Sequence, residues 1–263
     1  MKPRPASVDG WLEALFARHL RELTHPEVSR ALKALTRDYV QRRGRIRGDA
    51  FAGRGKRAAF CLYYGPRHFV MVREVLRALK PGPCKAEIVD LGCGTGVASA
   101  AWALEHPGLV VGVDTADWAL AEARQSWREL GVRGGALRCT LDRFRWPPPP
   151  RRIVAAFALN ELAPALRARL LQRMLDHAAA GGQALVVEPL ATRITPWWSA
   201  AALSVQEAGG RVNEWHLSAA LPQPVALLGK SAGLNPRELG ARTLWLDGTS
   251  GGIAPVRLPV EEE

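Results

Sequence analysis

The chain has 263 residues, of which 48% are hydrophobic, and its formal net charge is +11. This length is sufficient for one large domain or for a domain with an extension. No apolar run approaches the roughly 18 residues of a membrane span, and the first residues lack the apolar centre of a signal peptide. We therefore expect a cytoplasmic protein without a membrane partner.

The positive charge is concentrated in the first 80 residues, which contain 18 Lys and Arg against 7 Asp and Glu. Residues 81–263 contain 18 of each kind and are neutral overall. A surface with this excess suits a partner that carries many phosphate groups, and a solvated basic face is the alternative. We divide the chain into a basic helical N-terminal extension, residues 1–80, and a second domain, residues 81–263.

Two short amphipathic helices are predicted at the N-terminus, one from Val8 to His19 with Ser7 as its N-cap and one that follows Thr24. A stretch rich in glycine and positive charge comes next. Its basic residues are Arg42, Arg43, Arg45, Arg47, Arg54, Lys56 and Arg57. This composition predicts a flexible arm that contacts RNA, and a disordered linker is the alternative.

A third helical pattern covers residues 58–79, with an interruption near Gly65 and Pro66. We expect this helix to lie beside the glycine-rich turn described below. Tyr63, Tyr64 and His68 are candidates to line a ligand pocket, although aromatic residues at helical spacing are also typical of a core.

Beyond residue 81 the pattern alternates between strands and helices. Strands are predicted at 87–91, 109–113, 136–139, 152–159, 183–187, 211–217 and 241–246. This order predicts an α/β fold, a Rossmann-like doubly wound sheet of seven mostly parallel strands covered on both faces. The four cysteines, Cys61, Cys84, Cys93 and Cys139, have neither metal-ligand nor disulfide spacing, so we expect free thiols and no metal.

A turn with three glycines at alternate positions, residues 92–96, follows the first predicted strand and precedes a helix. Val97 replaces the third glycine of the dinucleotide-binding pattern, and no Walker A lysine follows. Asp90 would repel a pyrophosphate but suits a cationic amine, and Asp114 has the spacing of an acid that binds ribose hydroxyls. These charges favour S-adenosylmethionine as the ligand.

The segment 89–96, together with Val113-Asp114, resembles the class I S-adenosylmethionine-dependent methyltransferases. The resemblance implies a set of cofactor-binding residues: Asp90, Gly92, Cys93, Gly94, Thr95, Gly96, Asp114, Thr115, Leu141, Asp142 and Asn160. In this family pattern Asp90 orients the amine, Asp114 binds the ribose, and the turn at Leu141 and Asp142 meets the adenine. A solvent-exposed turn acid is the alternative for Asp142.

The resemblance also places Asn160 opposite the transferable methyl group, and Asn160 and Glu161 are the catalytic candidates. Methyl transfer from a sulfonium needs little acid–base help, so positioning of the reactants supplies most of the rate. For Glu161 and Glu188, helix capping or a surface role is an open alternative.

Four segments, Tyr63-Tyr64, 90–96, 157–162 and 186–189, are together similar to the methyltransferase-like family of the small ribosomal subunit of bacteria and mitochondria. That family commonly carries a cysteine cluster for iron–sulfur ligation, and this chain has no such cluster after Cys139. The resemblance implies methylation of structured, ribosomal RNA docked by the basic N-terminal region. The alternatives are a small-molecule methyltransferase with an N-terminal helical lid and a cofactor-binding ribosome-assembly factor without transfer activity.

Overall fold

The computed structural model describes residues 7–41, 51–84, 87–149, 151–192, 195–218, 221–235 and 238–258. Its α-helices are α1 Val8–His19, α2 His25–Gln41, α3 Arg54–Ala59, α4 Gly65–Leu79, α5 Val97–Glu105, α6 Asp117–Glu129, α7 Pro164–Ala179, α8 Trp198–Glu207 and α9 Gln223–Ser231. Its strands are β1 Ile88–Leu91, β2 Val110–Asp114, β3 Gly134–Arg138, β4 Arg152–Ala156, β5 Gln183–Glu188, β6 Arg211–Ser218 and β7 Glu238–Asp247. A π-helical turn, Phe60–Tyr64, joins α3 to α4, and 3₁₀ turns occupy Leu159–Glu161 and Gly248–Ser250.

The seven strands form one sheet in the order β3-β2-β1-β4-β5-β7-β6. Strands β1 to β5 are parallel, whereas β7 is antiparallel to both β5 and β6. The predicted doubly wound, mostly parallel sheet is therefore confirmed. The winding reverses between β1 and β4, and ligands of such sheets bind at the carboxyl ends of the strands at this point.

Alternate residues of the central strands pack against opposite faces of the sheet. In β5, Leu185 and Val187 belong to one apolar core, while Ala184 and Val186 belong to another. The first core lies beneath α1 to α6 and α9, and the second lies beneath α7 and α8. Burial on both faces explains why the parallel strands are continuous apolar runs in the sequence.

The N-terminal helices begin where the sequence predicts. Ser7 caps α1, since its hydroxyl accepts a hydrogen bond of 3.0 Å from the N–H of Gly10. Ahead of α2, the carboxylate of Glu27 accepts hydrogen bonds of 2.7 Å from both the N–H and the hydroxyl of Thr24. Each contact satisfies donors near the start of its helix.

The helices of residues 7–79 share the core of the sheet. Trp11 is 1% exposed, and its indole N–H donates a hydrogen bond of 3.2 Å to the hydroxyl of Ser126 on α6. Arg18 on α1 forms salt bridges with Glu122 and Glu129 on α6. The apolar core is therefore continuous across residue 80, and the predicted division of the chain into two domains stays a prediction.

The predicted flexible arm is partly wrong. Arg54, Lys56 and Arg57 lie on helix α3, which continues into the apolar pattern of residues 58–79. The missing side chain of Gly55 lets α3 approach α2, because a Cβ there would lie 3.3 Å from that of Ala31. The other four predicted RNA contacts, Arg42, Arg43, Arg45 and Arg47, lie outside the described residues.

Strand β4 is shorter than predicted, and this difference forms part of the site. It ends at Ala156 rather than at residue 159, and Phe157 has a φ of 57° in the left-handed region. The apolar run after Ala156 has the composition of a strand. The chain turns instead because a 3₁₀ turn follows, whose Asn160 N–H bonds to the carboxylate of Glu188 at 3.1 Å.

Two further expectations have outcomes in the described residues. The four cysteines are free thiols, as predicted, and three of them are buried. None of the helices in the described ranges combines the length and apolar character that a bilayer span requires.

Trp11→Ala tests whether the N-terminal helices belong to the main core. We expect a loss of about 3–5 kcal/mol in the free energy of unfolding, because a large buried side chain leaves a cavity. Unfolding by urea, followed by circular dichroism, measures the change. Leu203→Ala is the control, since Leu203 is 61% exposed, and its effect should stay within about 0.5 kcal/mol. Unchanged stability of Trp11→Ala would contradict a shared core.

Candidate active site

A cavity of about 700 Å³ opens where β1, β2, β4 and β5 end. Its volume lies within the roughly 300–1,000 Å³ of small-molecule sites. Eleven of the sequence-predicted site residues line it: Asp90, Gly92, Cys93, Gly94, Thr95, Asp114, Thr115, Leu141, Asp142, Asn160 and Glu161. The fold thus brings residues from four separate segments to one cavity.

The glycine turn leaves space for a ligand on one side and is closed on the other. Gly94 has a φ of 50°, and a Cβ at this position would meet no atom within 4 Å. Gly96 also has a positive φ, 74°, but a Cβ there would lie 2.7 Å from the indole of Trp127. Gly96 is predicted to bind cofactor, yet it lies behind the turn and its carbonyl accepts a hydrogen bond of 2.8 Å from that indole.

Asp114 links the glycine turn to the loop that follows β2. Its Oδ2 accepts a hydrogen bond of 2.9 Å from the N–H of Gly94, and its Oδ1 accepts bonds from the N–H groups of Thr115 and Ala116 at 2.7 and 2.9 Å. An acid in this position at the end of β2 fits the two hydroxyls of a ribose, as the sequence predicts.

Asp90 is almost completely buried at the end of β1. Its Oδ2 accepts a hydrogen bond of 3.1 Å from the N–H of Ser99 in α5. Burial raises its pKa to about 6, and the negative charge of Asp114 adds to this rise while Ser99 opposes it. A cationic amine beside Asp90 would favour its ionised form, so the residue fits the predicted contact with the amine.

The turn after β3 forms another part of the cavity. Leu141 is 8% exposed and presents an apolar surface for a flat ring. The side chain of Asp142 is exposed, and a hydrogen bond with Thr140 lowers its pKa. Asp142 therefore both lines the cavity and has the exposure of a surface turn acid.

The opposite part of the cavity is aromatic. It is lined by Phe51, Phe60, Tyr64, His68 and Phe157. His68 and Phe157 stack with their ring centroids 3.9 Å apart and 17° between the ring planes. Burial lowers the pKa of His68 to about 3, with a smaller contribution from Arg67, so the ring is neutral at physiological pH.

The structure separates the three aromatic candidates of the N-terminal region. Tyr64 and His68 line the cavity, whereas Tyr63 is buried in the core with the guanidinium of Arg67 over its ring at 5.1 Å. Sequence reasoning missed the contribution of Phe157, because it placed this residue inside the predicted strand 152–159, whereas β4 ends at Ala156. No sequence signal distinguished Phe51.

The two catalytic candidates, Asn160 and Glu161, also line the cavity. Asn160 and Glu161 belong to the 3₁₀ turn after β4, and both line the cavity with Glu188 from the end of β5. Glu188 is 0% exposed. Its pKa is raised to about 8, mainly by burial and also by Glu161, against the opposing effects of Asn160, Leu159 and Arg242. A carboxyl that holds its proton near neutral pH is typical of functional sites.

The described cations of the predicted RNA-binding group have intramolecular contacts. Arg54 pairs with Glu22. Arg57 donates a hydrogen bond of 3.1 Å to the carbonyl of Phe51 and lies over the ring of Trp118 at 5.6 Å. These contacts fix the segment that carries Phe51 against the cavity.

One group of metal-ligand residue types lies away from the cavity. Three side chains each contribute one atom that could bind a metal, and these atoms lie within 4.8 Å of one another: His19, Cys61 and Glu122. Both carboxylate oxygens of Glu122 are already bonded, one to Arg18 and one to His19. We assign this group to the packing of α1 against α6.

Comparison with known families identifies the central part of the chain. Residues 88–182 match the methyltransferase domain family. This segment spans β1 to the loop before β5 and contains the glycine turn, Asp114 and the 3₁₀ turn after β4. Residues 88–182 form a class I S-adenosylmethionine-dependent methyltransferase domain. The cofactor is S-adenosylmethionine, and the open face of Gly94 with the acids at the ends of β1 and β2 fits it.

The predicted similarity to the methyltransferase-like family of the small ribosomal subunit has no comparable support. No curated protein sequence matches the chain. The similarity to that family therefore stays a prediction, and what the domain match establishes is the methyltransferase class.

Several solved methyltransferases are similar in structure at low sequence identity. Magnesium protoporphyrin IX methyltransferase (ChlM) from Synechocystis PCC 6803, with bound SAM, is 15% identical over 82% of this chain and 96% of that chain, with a TM-score of 0.46. The plantazolicin methyltransferase BpumL, in complex with SAH, is 12% identical over 90% and 99%, with a TM-score of 0.48. Phosphoethanolamine N-methyltransferase 2 from Haemonchus contortus is 14% identical over 68% and 52%, with a TM-score of 0.45. We draw nothing about acceptors from them.

Asp114→Asn tests the assignment of the ribose contact. The substitution keeps the size of the side chain but removes its charge and one acceptor. We expect the affinity for S-adenosylhomocysteine, measured by calorimetry, to fall roughly tenfold or more, because a hydrogen bond to a charged group is lost. Asp117→Asn, at an exposed acid on the next helix, is the control and should leave the affinity unchanged. An unaltered dissociation constant for Asp114→Asn would refute the assignment.

Proposed function

We propose that this chain transfers a methyl group from S-adenosylmethionine to a small acceptor bound in the aromatic part of the cavity. One observation carries the proposal: a single cavity connects the glycine turn with an aromatic wall built from the N-terminal region and from Phe157. Such a cavity accommodates a donor and an acceptor side by side.

The residues of the turn have separate roles in this proposal. Gly94 allows the cofactor to approach the backbone, Asp114 binds its ribose, and Asp90 orients its amine. The sulfonium supplies an activated methyl group, so the protein has mainly to align donor and acceptor. Asn160, in the turn after β4, lines the same cavity and positions the reacting groups.

The small-molecule proposal depends on what covers the cavity. Phe51, Phe60, Tyr64 and His68 all come from the N-terminal region and line the aromatic part. The helices that carry them pack into the main core, as the position of Leu62 and Phe69 in that core shows. A lid built in this way selects an acceptor by size and shape.

Structured RNA, docked by the N-terminal region, is the second candidate acceptor. The observation in its favour is the charge of residues 1–80, which contain the whole net charge of +11. A cofactor-binding assembly factor without transfer activity would share this docking. The two acceptor classes are distinguishable by direct labelling.

Tritiated methyl transfer onto a metabolite extract, total RNA and isolated small ribosomal subunits, run in parallel, tests the acceptor class. We expect label in the metabolite fraction. Label in RNA that disappears when Arg42, Arg43, Arg45 and Arg47 are all replaced by Gln would establish the RNA candidate instead. The control carries the same replacement at Arg133, Arg145, Arg169 and Arg257, which are exposed and lie elsewhere. No label in any fraction would contradict transfer.

Asn160→Ala tests the role of the turn after β4. We expect kcat to fall about tenfold, equivalent to roughly 1.4 kcal/mol of activation free energy, with the affinity for S-adenosylhomocysteine unchanged. This pattern is expected because the proposed role of Asn160 is alignment rather than cofactor binding. Gln206→Ala, on the exposed face of α8, is the control. A lower affinity with unchanged kcat would assign Asn160 to the cofactor alone.

A further inference from the structure

Two glutamate carboxyl groups and one guanidinium line the same cavity as the aromatic residues. Glu161 and Glu188 line it, and the positively charged side chain that lines it is Arg67. The guanidinium of Arg67 lies over the ring of Tyr63 at 5.1 Å and donates a hydrogen bond of 3.0 Å to the carbonyl of Glu238. These contacts fix the position of Arg67, which remains a cation in the lining of a cavity that also contains two glutamate carboxyl groups.

Glu188 offers an unused hydrogen-bonding atom at this position. Its Oε1 accepts a bond of 3.1 Å from the N–H of Asn160, whereas its Oε2 has no hydrogen-bond partner in the described part of the chain. A buried polar atom without a partner costs free energy. A ligand that brings a donor to this carboxyl would remove that cost.

Charged groups around Glu188 act on its pKa in opposite directions: Arg242 lowers it and Glu161 raises it. Arg242 on β7 lies opposite Glu188 on β5 in the sheet. The Arg242 guanidinium, however, donates to the carbonyl of Pro189 at 3.2 Å and lies over Trp198 at 4.6 Å. Glu161, on the neighbouring turn, adds a like charge. No salt bridge joins Glu188 to a cation in the described ranges.

The cavity that Glu188 lines also has flat, neutral walls. Phe60, Tyr64 and Phe157 present aromatic rings, and His68 is neutral because burial lowers its pKa to about 3. Aromatic faces attract cations, and carboxylates bind them more strongly. Aromatic faces beside two carboxyls suit an ammonium group attached to a flat apolar body.

We propose that the acceptor is a primary or secondary amine carried on a flat apolar group, and that Glu188 accepts the hydrogen bond and then the proton of its nitrogen. This inference rests on the proposed methyl transfer. The ammonium form binds first and gives one proton to the Glu188 carboxylate. The freed nitrogen lone pair forms the bond to the methyl carbon as the carbon–sulfur bond breaks and leaves its electron pair on sulfur. The methylated ammonium then leaves.

The first measurement compares amines with matched alcohols on the full chain saturated with S-adenosylhomocysteine. The probes are tryptamine against tryptophol and phenethylamine against 2-phenylethanol, with binding followed by calorimetry. We expect each amine to bind roughly tenfold more tightly than its alcohol, because a charged hydrogen bond forms only with the amine. Equal or weaker binding of the amines would overturn the inference without touching the cofactor site.

The second measurement assigns the effect to Glu188. Glu188→Gln keeps an acceptor for the N–H of Asn160, so the turn is preserved. We expect this variant to lose the preference for amines while its affinity for S-adenosylhomocysteine stays within about twofold. Glu207→Gln, an exposed acid on α8, should retain the preference. A Glu188→Gln variant that still prefers amines would overturn the assignment.

The pH dependence separates a proton acceptor from a purely structural residue. The pKa of Glu188 is raised to about 8, and the pKa values of the amines lie higher. Near pH 8 the carboxyl therefore changes its protonation state while the amines stay protonated. Amine affinity should therefore weaken as the pH falls through about 8, and the Glu188→Gln variant should show no such change. A pH-independent wild type would overturn the proposal. Failure of S-adenosylhomocysteine to bind at all would instead refute the proposed function.

Discussion

The indole of Trp127 fixes the geometry on which the site depends. It lies against Gly96 and Gly112, where any side chain would approach within 2.7 Å of the ring, and it donates a hydrogen bond to the Gly96 carbonyl. The ring therefore fills the space behind the glycine turn and links the start of α5 to α6. Because the back of the turn is closed in this way, its open side, at Gly94, faces the cavity.

A second constraint is the contrast between the surface and the cavity. The chain is strongly basic, yet five acids and one arginine line the cavity. Two of these acids, Asp90 and Glu188, are buried and have raised pKa values. A cation bound beside either carboxyl would favour its ionised form, which suits a sulfonium donor. The net charge of the N-terminal third therefore does not predict which ligand the cavity binds.

The local chemistry of the first βα unit was readable from the sequence. The glycine spacing, Asp90 and Asp114 predicted the turn, its cofactor class and the alternation of strands, because these features depend on neighbours in the chain. The aromatic wall was harder to predict, since Phe51 and Phe157 come to the same cavity only through tertiary packing. The composition of residues 53–57 suggested a flexible arm, but Arg54–Ala59 is a helix that lies close to Ala31 at Gly55 and places Arg57 over Trp118. Long-range packing therefore determines the helical conformation of this segment.

The π-helical turn Phe60–Tyr64 joins α3 to α4 without a break. A π turn contains an extra residue relative to an α-helix, and one residue corresponds to about 100° of rotation. It sets the angular phase between α3 and α4, and both Phe60 and His68 reach the same cavity. Deleting one residue here would restore regular α-helix and rotate α3 relative to α4. The aromatic wall of the cavity thus depends on helical phase as well as on its aromatic residues.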